Sequence, residues 1–288
     1  MILRRGQAVP GRSCRREKRG EAMDNQVTVS VVQMNCIRGE KQRNLARAEK
    51  FIDEAARRGS RLVVLPELFS TGYRVEWDDA KLAETIPGPV TDWMRVLAKK
   101  HSLYLAGAII EKDDETGQLY DTAVLVGPEG IEGKHRKMHL WSGEEKRFGH
   151  GTELQTVTLP FATVGMLICY EIGFPEQSRV LTEKGADIIL FPSAFGKARA
   201  HVWDVASRAR ALENGVFVLA CNRTGTEDDT VLGGLSRIVS PSTQVLASAC
   251  ADGEAVITAD LDLTAVARQR KEVPYLKDLN EKLRINGF

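Results

Sequence analysis

Three residues combine a reactive side chain with a position at or just beyond a β-like run. Glu67 follows RLVVLP, Lys137 lies in GKHRKMHL after the strand-like stretch near Ile131, and Cys169 follows ATVGMLI. Together these groups can support nucleophilic catalysis, in which the carboxylate accepts the thiol proton and the cation stabilises an oxyanion. Because strand ends that open into loops commonly carry α/β active sites, these positions predict a thiol-dependent catalytic site.

Cys169 stands where a strand turns into a helix, in ICYEIGFPE, with Pro175 suited to the first helical turn. A helix N-terminus and a lysine nearby would lower the thiol pKa and favour the thiolate. The alternative is a small buried cysteine without a chemical role, which is common for free cysteines. We assign that structural role to Cys36, Cys221 and Cys250, which lack comparable surroundings.

Glu67 is flanked by apolar residues in VVLPELF. Desolvation in such surroundings predicts a raised carboxyl pKa, as a general base near neutral pH requires. An acid at a helix N-terminus or in an ion pair is the alternative for Glu67, and a solvated surface group is the alternative for Lys137. Both alternatives stay open on local sequence alone.

Histidines provide a second possible thiol mechanism, because a Cys–His pair is common among thiol enzymes. His150 and His201 are the candidate bases, although neither lies in a recognisable local motif. His135 and His139 are four residues apart, but the stretch between them looks extended, so they are not expected to share a helix face. No H-E-x-x-H or C-x-x-C pattern occurs, and no metal site is predicted.

The composition excludes several functional classes. The 288 residues include 40 basic and 39 acidic side chains, a net charge of +1, so no general field attracts nucleic acid or an anionic membrane. No apolar run approaches the roughly 20 residues that a membrane span needs. The five cysteines are scattered and odd in number, which argues against a disulfide framework and favours a reducing, cytoplasmic setting.

Strand-like and helix-like segments alternate from residue 26 onward. Hydrophobic periodicity predicts strands near 27–34, 61–65, 103–110, 121–126, 162–168, 187–191, 216–220, 234–238, 244–247 and 255–259, and helices over 41–58, 90–101, 175–184 and 202–214. The two halves repeat the same order without a linker, which favours one α/β domain over 26–288, with two sheets and helices packed outside. Residues 1–25 carry a net charge of +4 and are expected to form a disordered extension.

Five ordered motifs resemble the nitrilase superfamily of carbon–nitrogen hydrolases. They are LPELFSTGY (65–73), HRKMHL (135–140), GEEKRFGHG (143–151), ICYEIGFPE (168–176) and HVWDVASRARALENGVFVLACNRTG (201–225). The resemblance implies a four-layer α-β-β-α sandwich that forms homodimers or larger homo-oligomers. It also implies catalysis without a metal or organic cofactor.

The same resemblance assigns site roles. It implies a catalytic triad of Glu67, Lys137 and Cys169, with a second glutamate four residues before a phenylalanine. That spacing selects Glu144, and Glu145 is its competitor if the loop register slips. Tyr73, Trp141 and Phe195 are expected to form the wall of the pocket. The backbone N–H of Tyr170 is expected to hold the oxyanion.

The motifs also bear on the substrate. Many relatives carry arginine where this chain has Gly173, and aspartate where it has Glu171, which argues against a substrate with a second carboxylate. Tyr170 favours amides over nitriles. The leading expectation is an amidase that releases ammonia from a small aliphatic amide; the alternatives are an N-carbamoyl amine hydrolase, a nitrilase, and a catalytically idle binding dimer.

Overall fold

The computed structural model describes residues 25–279, and every structural statement below concerns that part of the chain. Its α-helices are α1 (Lys41–Arg57), α2 (Asp79–Leu82), α3 (Pro89–His101), α4 (Pro175–Glu183), α5 (Ala200–Asn214) and α6 (Thr264–Glu272). The expected extension at 1–25 falls outside the described residues, apart from Asn25. Between residues 25 and 279, no helix is both long and apolar enough to cross a membrane.

Two six-stranded sheets form the centre of the fold. The first has the order β14-β1-β2-β3-β4-β5, with strands β1 (Gln26–Gln33), β2 (Leu62–Val64), β3 (Tyr104–Lys112), β4 (Leu119–Gly127), β5 (Gly130–Arg136) and β14 (Ala255–Asp262). The second has the order β13-β12-β9-β8-β7-β6, with β6 (Thr156–Thr158), β7 (Thr163–Met166), β8 (Ile188–Ser193), β9 (Phe217–Asn222), β12 (Arg237–Val239) and β13 (Val245–Ser248). Strands β1, β2 and β3 are parallel in the first sheet, as are β7, β8 and β9 in the second.

The two sheets pack face to face because their central strands are apolar on both sides. In β1, Val29 and Val31 contribute to the core shared with the second sheet, whereas Val32 belongs to the core beneath the helices of the first sheet. Burying both faces of a sheet in this way requires covering layers outside. The chain supplies these layers as helices.

Helices α1 and α3 cover the first sheet, and α4 and α5 cover the second. In α1, Leu45, Ala48 and Ile52 are buried at helical spacing against the first sheet. The α5 side chain Trp203 is buried in the core of the second sheet. The layers therefore follow the order α-β-β-α, which confirms the predicted fold class.

Several short elements were not predicted. These are β6, α2, α6 and a hairpin formed by β10 (Thr224–Glu227) and β11 (Thr230–Gly233). The strand expected at 234–238 begins only at Arg237, because Gly234 and Leu235 both adopt positive φ angles, 55° and 56°, which interrupt an extended strand. Small elements of this kind carry too few residues for a clear periodicity.

Candidate active site

The predicted triad residues lie close to strand ends and meet between the two sheets. Glu67 follows β2, Lys137 directly follows β5, and Cys169 follows β7. Cys169 has φ of 48°, and Leu68, next to Glu67, has φ of 49°. Non-glycine residues adopt this left-handed conformation only where the surrounding structure enforces it. Both backbone bends therefore belong to segments that are held tightly in place.

Lys137 is fully buried and lies at the centre of the site. Its Nζ is 2.6 Å from Glu67 Oε1, 2.9 Å from Glu144 Oε2 and 3.3 Å from Asp121 Oδ2. Burial alone would lower the pKa of Lys137, but its carboxylate neighbours, Glu67 and Glu144 above all, raise it well above its usual value. Lys137 is therefore a permanent cation and not the solvated surface group that its local sequence allowed.

Glu67 is also fully buried, and donors satisfy both of its oxygens. Oε1 accepts from Lys137, and Oε2 accepts from the backbone N–H of Ala194 at 2.7 Å. Burial alone would raise the pKa of Glu67, as the sequence led us to expect. The charge of Lys137, together with its hydrogen bond, outweighs burial and lowers the pKa of Glu67. Glu67 is thus ionised and ready to accept a proton.

The pKa of the Cys169 thiol is shifted in the direction opposite to the one predicted. This pKa is raised well above the usual value by burial and by the negative charge of Glu67, although Lys137 opposes the change. The predicted lowering was wrong because the sequence could not show how completely the thiol is buried. Cys169 therefore rests as a thiol beside Glu67, and it needs that base to become nucleophilic.

Burial and contacts show which of the two adjacent glutamates, Glu144 or Glu145, belongs to the site. Glu144, at the start of a 3₁₀ turn, accepts hydrogen bonds from Lys137 at 3.0 Å, Tyr73 Oη at 2.6 Å and the Trp141 N–H at 2.7 Å. Glu145 is exposed. Glu144, and not Glu145, therefore contacts Lys137, as the spacing before the phenylalanine predicted.

The clustered carboxylates of Glu67, Asp121 and Glu144 have the donor atoms of a metal site, since one oxygen of each lies within 4.8 Å of the others. The ammonium group of Lys137, however, already contacts all three. This arrangement suits a fixed ammonium group, which can stabilise developing negative charge.

The histidines do not form the alternative Cys–His pair. His150 is exposed and its Nδ1 bonds the Met138 carbonyl at 2.7 Å, while His201 is exposed at the start of α5. Neither lines the cavity that contains Cys169. His135 is buried and paired with Glu171 at 2.8 Å.

A cavity of about 850 Å³ opens above Cys169, and we call it the substrate pocket. All four residues expected to bind substrate line it: Tyr73, Trp141, Tyr170 and Phe195. The rings of Trp141 and Tyr170 meet edge to face at 4.9 Å. The volume is that of a small-molecule site.

Sequence comparison agrees with this geometry. The profile described as carbon-nitrogen hydrolase matches residues 28–271, nearly all of the described chain. The chain belongs to the carbon–nitrogen hydrolase family. Its membership in the nitrilase superfamily, expected from five motifs, is confirmed.

Individual relatives of this hydrolase carry different activity names. A protein named nitrilase from Pyrococcus abyssi is 39% identical, with 88% of this chain and 95% of that protein aligned. Omega-amidase NIT2 of Xenopus tropicalis is 37% identical over 81% of this chain and 88% of its own. The crystal structure of Saccharomyces cerevisiae Nit3, described as a member of branch 10 of the nitrilase superfamily, superposes with a TM-score of 0.82 at 30% identity and covers 90% of this chain and 97% of that one.

Three residues near the site of this hydrolase were not singled out from the sequence. Asp121 projects from β4 to Lys137, and Glu227 in the β10–β11 hairpin accepts the backbone N–H groups of Tyr73 and Arg74 at 2.9 and 2.8 Å. Arg199 lies in the pocket wall. Their roles depend on contacts between distant segments, and no local motif marks them.

Arg199 also corrects the inference drawn from Gly173. The absence of an arginine at position 173 suggested a pocket without a spare cation. Arg199 and Lys146 both line the pocket, and neither forms an ion pair with a carboxylate between residues 25 and 279. The pocket therefore offers positive charge from a different part of the chain.

Proposed function

We propose that this carbon–nitrogen hydrolase is a thiol amidase that converts a small amide to a carboxylic acid and ammonia. The observation that carries the proposal is the buried Lys137 ammonium, which is held between Glu67 and Glu144 close to the thiol of Cys169 in the pocket lining. The group supplies a nucleophile, a base and an oxyanion stabiliser without further components.

The first half of the proposed reaction forms a thioester. Glu67 takes the proton of Cys169 while Sγ attacks the amide carbon, and the carbonyl electrons move to oxygen. Lys137 and the backbone N–H of Tyr170 hold that oxyanion, and loss of one such donor typically costs about 10²–10³ in rate. As the intermediate collapses, Glu67 passes its proton to the amide nitrogen and ammonia leaves.

The second half releases the acid. Water enters the space vacated by ammonia, and Glu67 accepts one of its protons as the oxygen attacks the thioester carbon. Collapse of this second intermediate breaks the C–S bond, and the sulfur regains a proton from Glu67. The carboxylic acid departs and the enzyme returns to its starting state.

Ammonia release tests this function directly. Wild type and Cys169→Ala would be assayed on short aliphatic amides, amino-acid amides, ω-amides of diacids, N-carbamoyl amines and simple nitriles. We expect Cys169-dependent ammonia from an amide class. Carbon dioxide released together with ammonia would instead identify a carbamoyl hydrolase, and turnover of nitriles alone would identify a nitrilase.

Two further results bear on the mechanism. Full activity in Cys169→Ala would contradict it, whereas Cys36→Ala, which removes another buried thiol, is the matched control and should retain activity. If no class is turned over and an electrophile fails to label Cys169, the idle binding dimer becomes the better explanation.

A carboxylate-bearing amide is the substrate class that Arg199 favours. The acidic residues Glu76, Asp228 and Asp229 also line the pocket, but each is paired with an arginine. The Arg199 guanidinium carbon lies 4.3 Å from the ring centre of Trp141 and 5.5 Å from that of Phe195, so two expected pocket residues position it. The other arginines of the pocket are already paired: Arg74 with Glu76 and Arg147 with Asp79. A stacked arginine without an acidic partner is well suited to bind a substrate carboxylate.

Arg199→Gln should therefore discriminate between substrates. For succinamic acid, which carries a carboxylate, we expect KM to rise by about tenfold or more, equivalent to about 1.4 kcal/mol of lost binding. For butyramide, which does not, KM should change less than about twofold. Arg43→Gln, an exposed charge on α1, is the matched control. Equal effects on both substrates would show that Arg199 does not recognise the carboxylate.

A further inference from the structure

The buried cluster around Lys137 contains more negative charge than one lysine can balance. Glu67, Asp121 and Glu144 are all at most 2% exposed, and each contacts the same ammonium group. With every group ionised, the cluster would carry a net charge of −2. Uncompensated charge away from water is so costly that a buried group takes up a proton instead.

Hydrogen bonding indicates which carboxyl group holds the proton. Glu67 accepts from Lys137 and from Ala194, and Glu144 accepts from three donors, so the ionised form of each is well satisfied. Asp121 has only the 3.3 Å contact from Lys137 to Oδ2, and its buried Oδ1 has no donor among the described residues. An ionised carboxylate can only accept, whereas a protonated one can donate.

We propose that Asp121 is protonated in the resting protein and donates a hydrogen bond to Glu67, so that it acts as a positioning residue that keeps the general base ionised. The two oxygens of Glu67 together offer about four lone-pair sites, enough for Asp121 beside Lys137, Ala194 and the neighbouring thiol of Cys169. The reaction leaves the Asp121 proton in place: Glu67 carries the proton of Cys169 to the leaving nitrogen, and Asp121 acts only through Glu67.

The electrostatics of the site support this assignment. Burial raises the pKa of Asp121 well above its usual value, the charges of Glu67 and Glu144 raise it further, and Lys137 opposes them. One oxygen of Asp121 lies within 4.8 Å of an oxygen of Glu67, and a hydrogen bond between the two lowers the pKa of Glu67. The neutral acid and the ionised base therefore stabilise one another.

Infrared spectroscopy tests the protonation itself and requires no substrate. At slightly alkaline pH, where ordinary carboxyl groups are ionised, wild type should show the carbonyl stretch of one carboxylic acid that is missing from Asp121→Asn. An identical spectrum in that region for the two proteins would overturn the proposal. Because turnover is not involved, this result is independent of whether the proposed amidase function is correct.

The pH dependence of Cys169 alkylation tests the effect of Asp121 on the pKa of Glu67. This test rests on the proposed role of Glu67 as the base. Iodoacetamide serves as the probe in the full chain. Asp121→Asn keeps a neutral donor, so the rate of Cys169 alkylation should stay within about twofold of wild type. Its acid limb, the pH range in which the rate falls on acidification, should also be unchanged. Asp121→Leu removes the donor, so its acid limb should move up by about one pH unit or more.

Two results would contradict this positioning role. A downward shift of the acid limb in Asp121→Asn would mean that the substitution removed a negative charge, and therefore that Asp121 is ionised in wild type. An unchanged acid limb in a folded Asp121→Leu would mean that Asp121 does not influence Glu67.

Discussion

At the scale of single residues, the site depends on charges that are buried together. The thiol of Cys169 is harder to ionise than a free thiol, and Glu67 is easier to ionise than a free carboxyl group. Sequence alone suggested the reverse for both, because it showed neither how completely the Cys169 thiol is buried nor how closely Lys137 contacts Glu67. The decisive neighbours of Glu67 and Cys169 are Lys137 and each other, from three separate segments.

Glu144 and Glu145 are adjacent in sequence but differ in burial, so the same substitution at each position tests which glutamate acts in the site. Glu144→Gln weakens the set of acceptors around the buried Lys137, so we expect kcat/KM for the amide to fall by at least about a hundredfold. Glu145→Gln alters an exposed side chain, and its activity should stay within about twofold of wild type. Steady-state kinetics with both variants checks the assignment, and the opposite ranking would refute it.

At the scale of elements, one buried carboxylate joins the loop that carries Lys137 to the turn that carries Cys169. Glu171 accepts from His135 Nε2 at 2.8 Å and the Met138 N–H at 2.8 Å on one side, and from the Ile168 N–H at 2.7 Å on the other. Burial alone would raise the pKa of Glu171, but the charge and hydrogen bond of His135, with the other donors, lower it to about 2. Cys169 and Lys137 are thereby fixed relative to each other.

Replacing this carboxylate should destabilise the fold in a pH-dependent way. A pKa of about 2 in the folded state, against an ordinary value of 4.5, corresponds to about 3 kcal/mol of stability. Because the folded pKa is the lower one, this contribution is complete above about pH 4.5 and disappears as the pH falls towards 2. Glu171→Gln should thus unfold at lower urea concentration than wild type at neutral pH, and the gap should narrow on acidification.

The control for this prediction is Glu176→Gln, an exposed glutamate in the first turn of α4. Its unfolding midpoint should remain close to that of wild type at every pH. A constant gap between Glu171→Gln and wild type across the acid range would show that the destabilisation comes from packing and not from the ionised carboxylate.

The long elements and the motif residues could be predicted from sequence, for identifiable physical reasons. The α1 helix buries apolar residues at a regular spacing, and the central strands are apolar on both faces, so both patterns are strong. The β10–β11 hairpin is short and largely polar, and its contribution to the pocket appears only when Glu227 meets the backbone of Tyr73. Asp121 and Arg199 were missed for the same reason, since their importance lies in long-range contacts.

At the scale of the whole molecule, the dimer implied by the family resemblance stays a prediction. Val205 and Leu212 are 67% and 38% exposed and lie seven residues apart on α5, so they share a face. We expect a second copy to pack against the face that these two side chains share.

Charge placed on that face should weaken self-association. Val205→Glu should shift the protein towards the monomer in size-exclusion chromatography with light scattering, because an unpaired carboxylate in an interface is costly. Val96→Glu alters a similarly exposed valine on α3, at 59% exposure, and should leave the assembly unchanged. A wild-type protein that is already monomeric would refute the expected dimer.

The pocket draws its groups from two structurally separate sources. Cys169 lies at the end of a core strand, whereas the outer wall includes Trp77 in the loop before α2 and Val231 in the β10–β11 hairpin, 91% and 45% exposed. Substitutions in the wall disturb little packing, while those at the strand ends disturb the catalytic groups. Evolution can therefore change which molecules enter without rebuilding the reaction centre, and one scaffold can give rise to enzymes with different substrates.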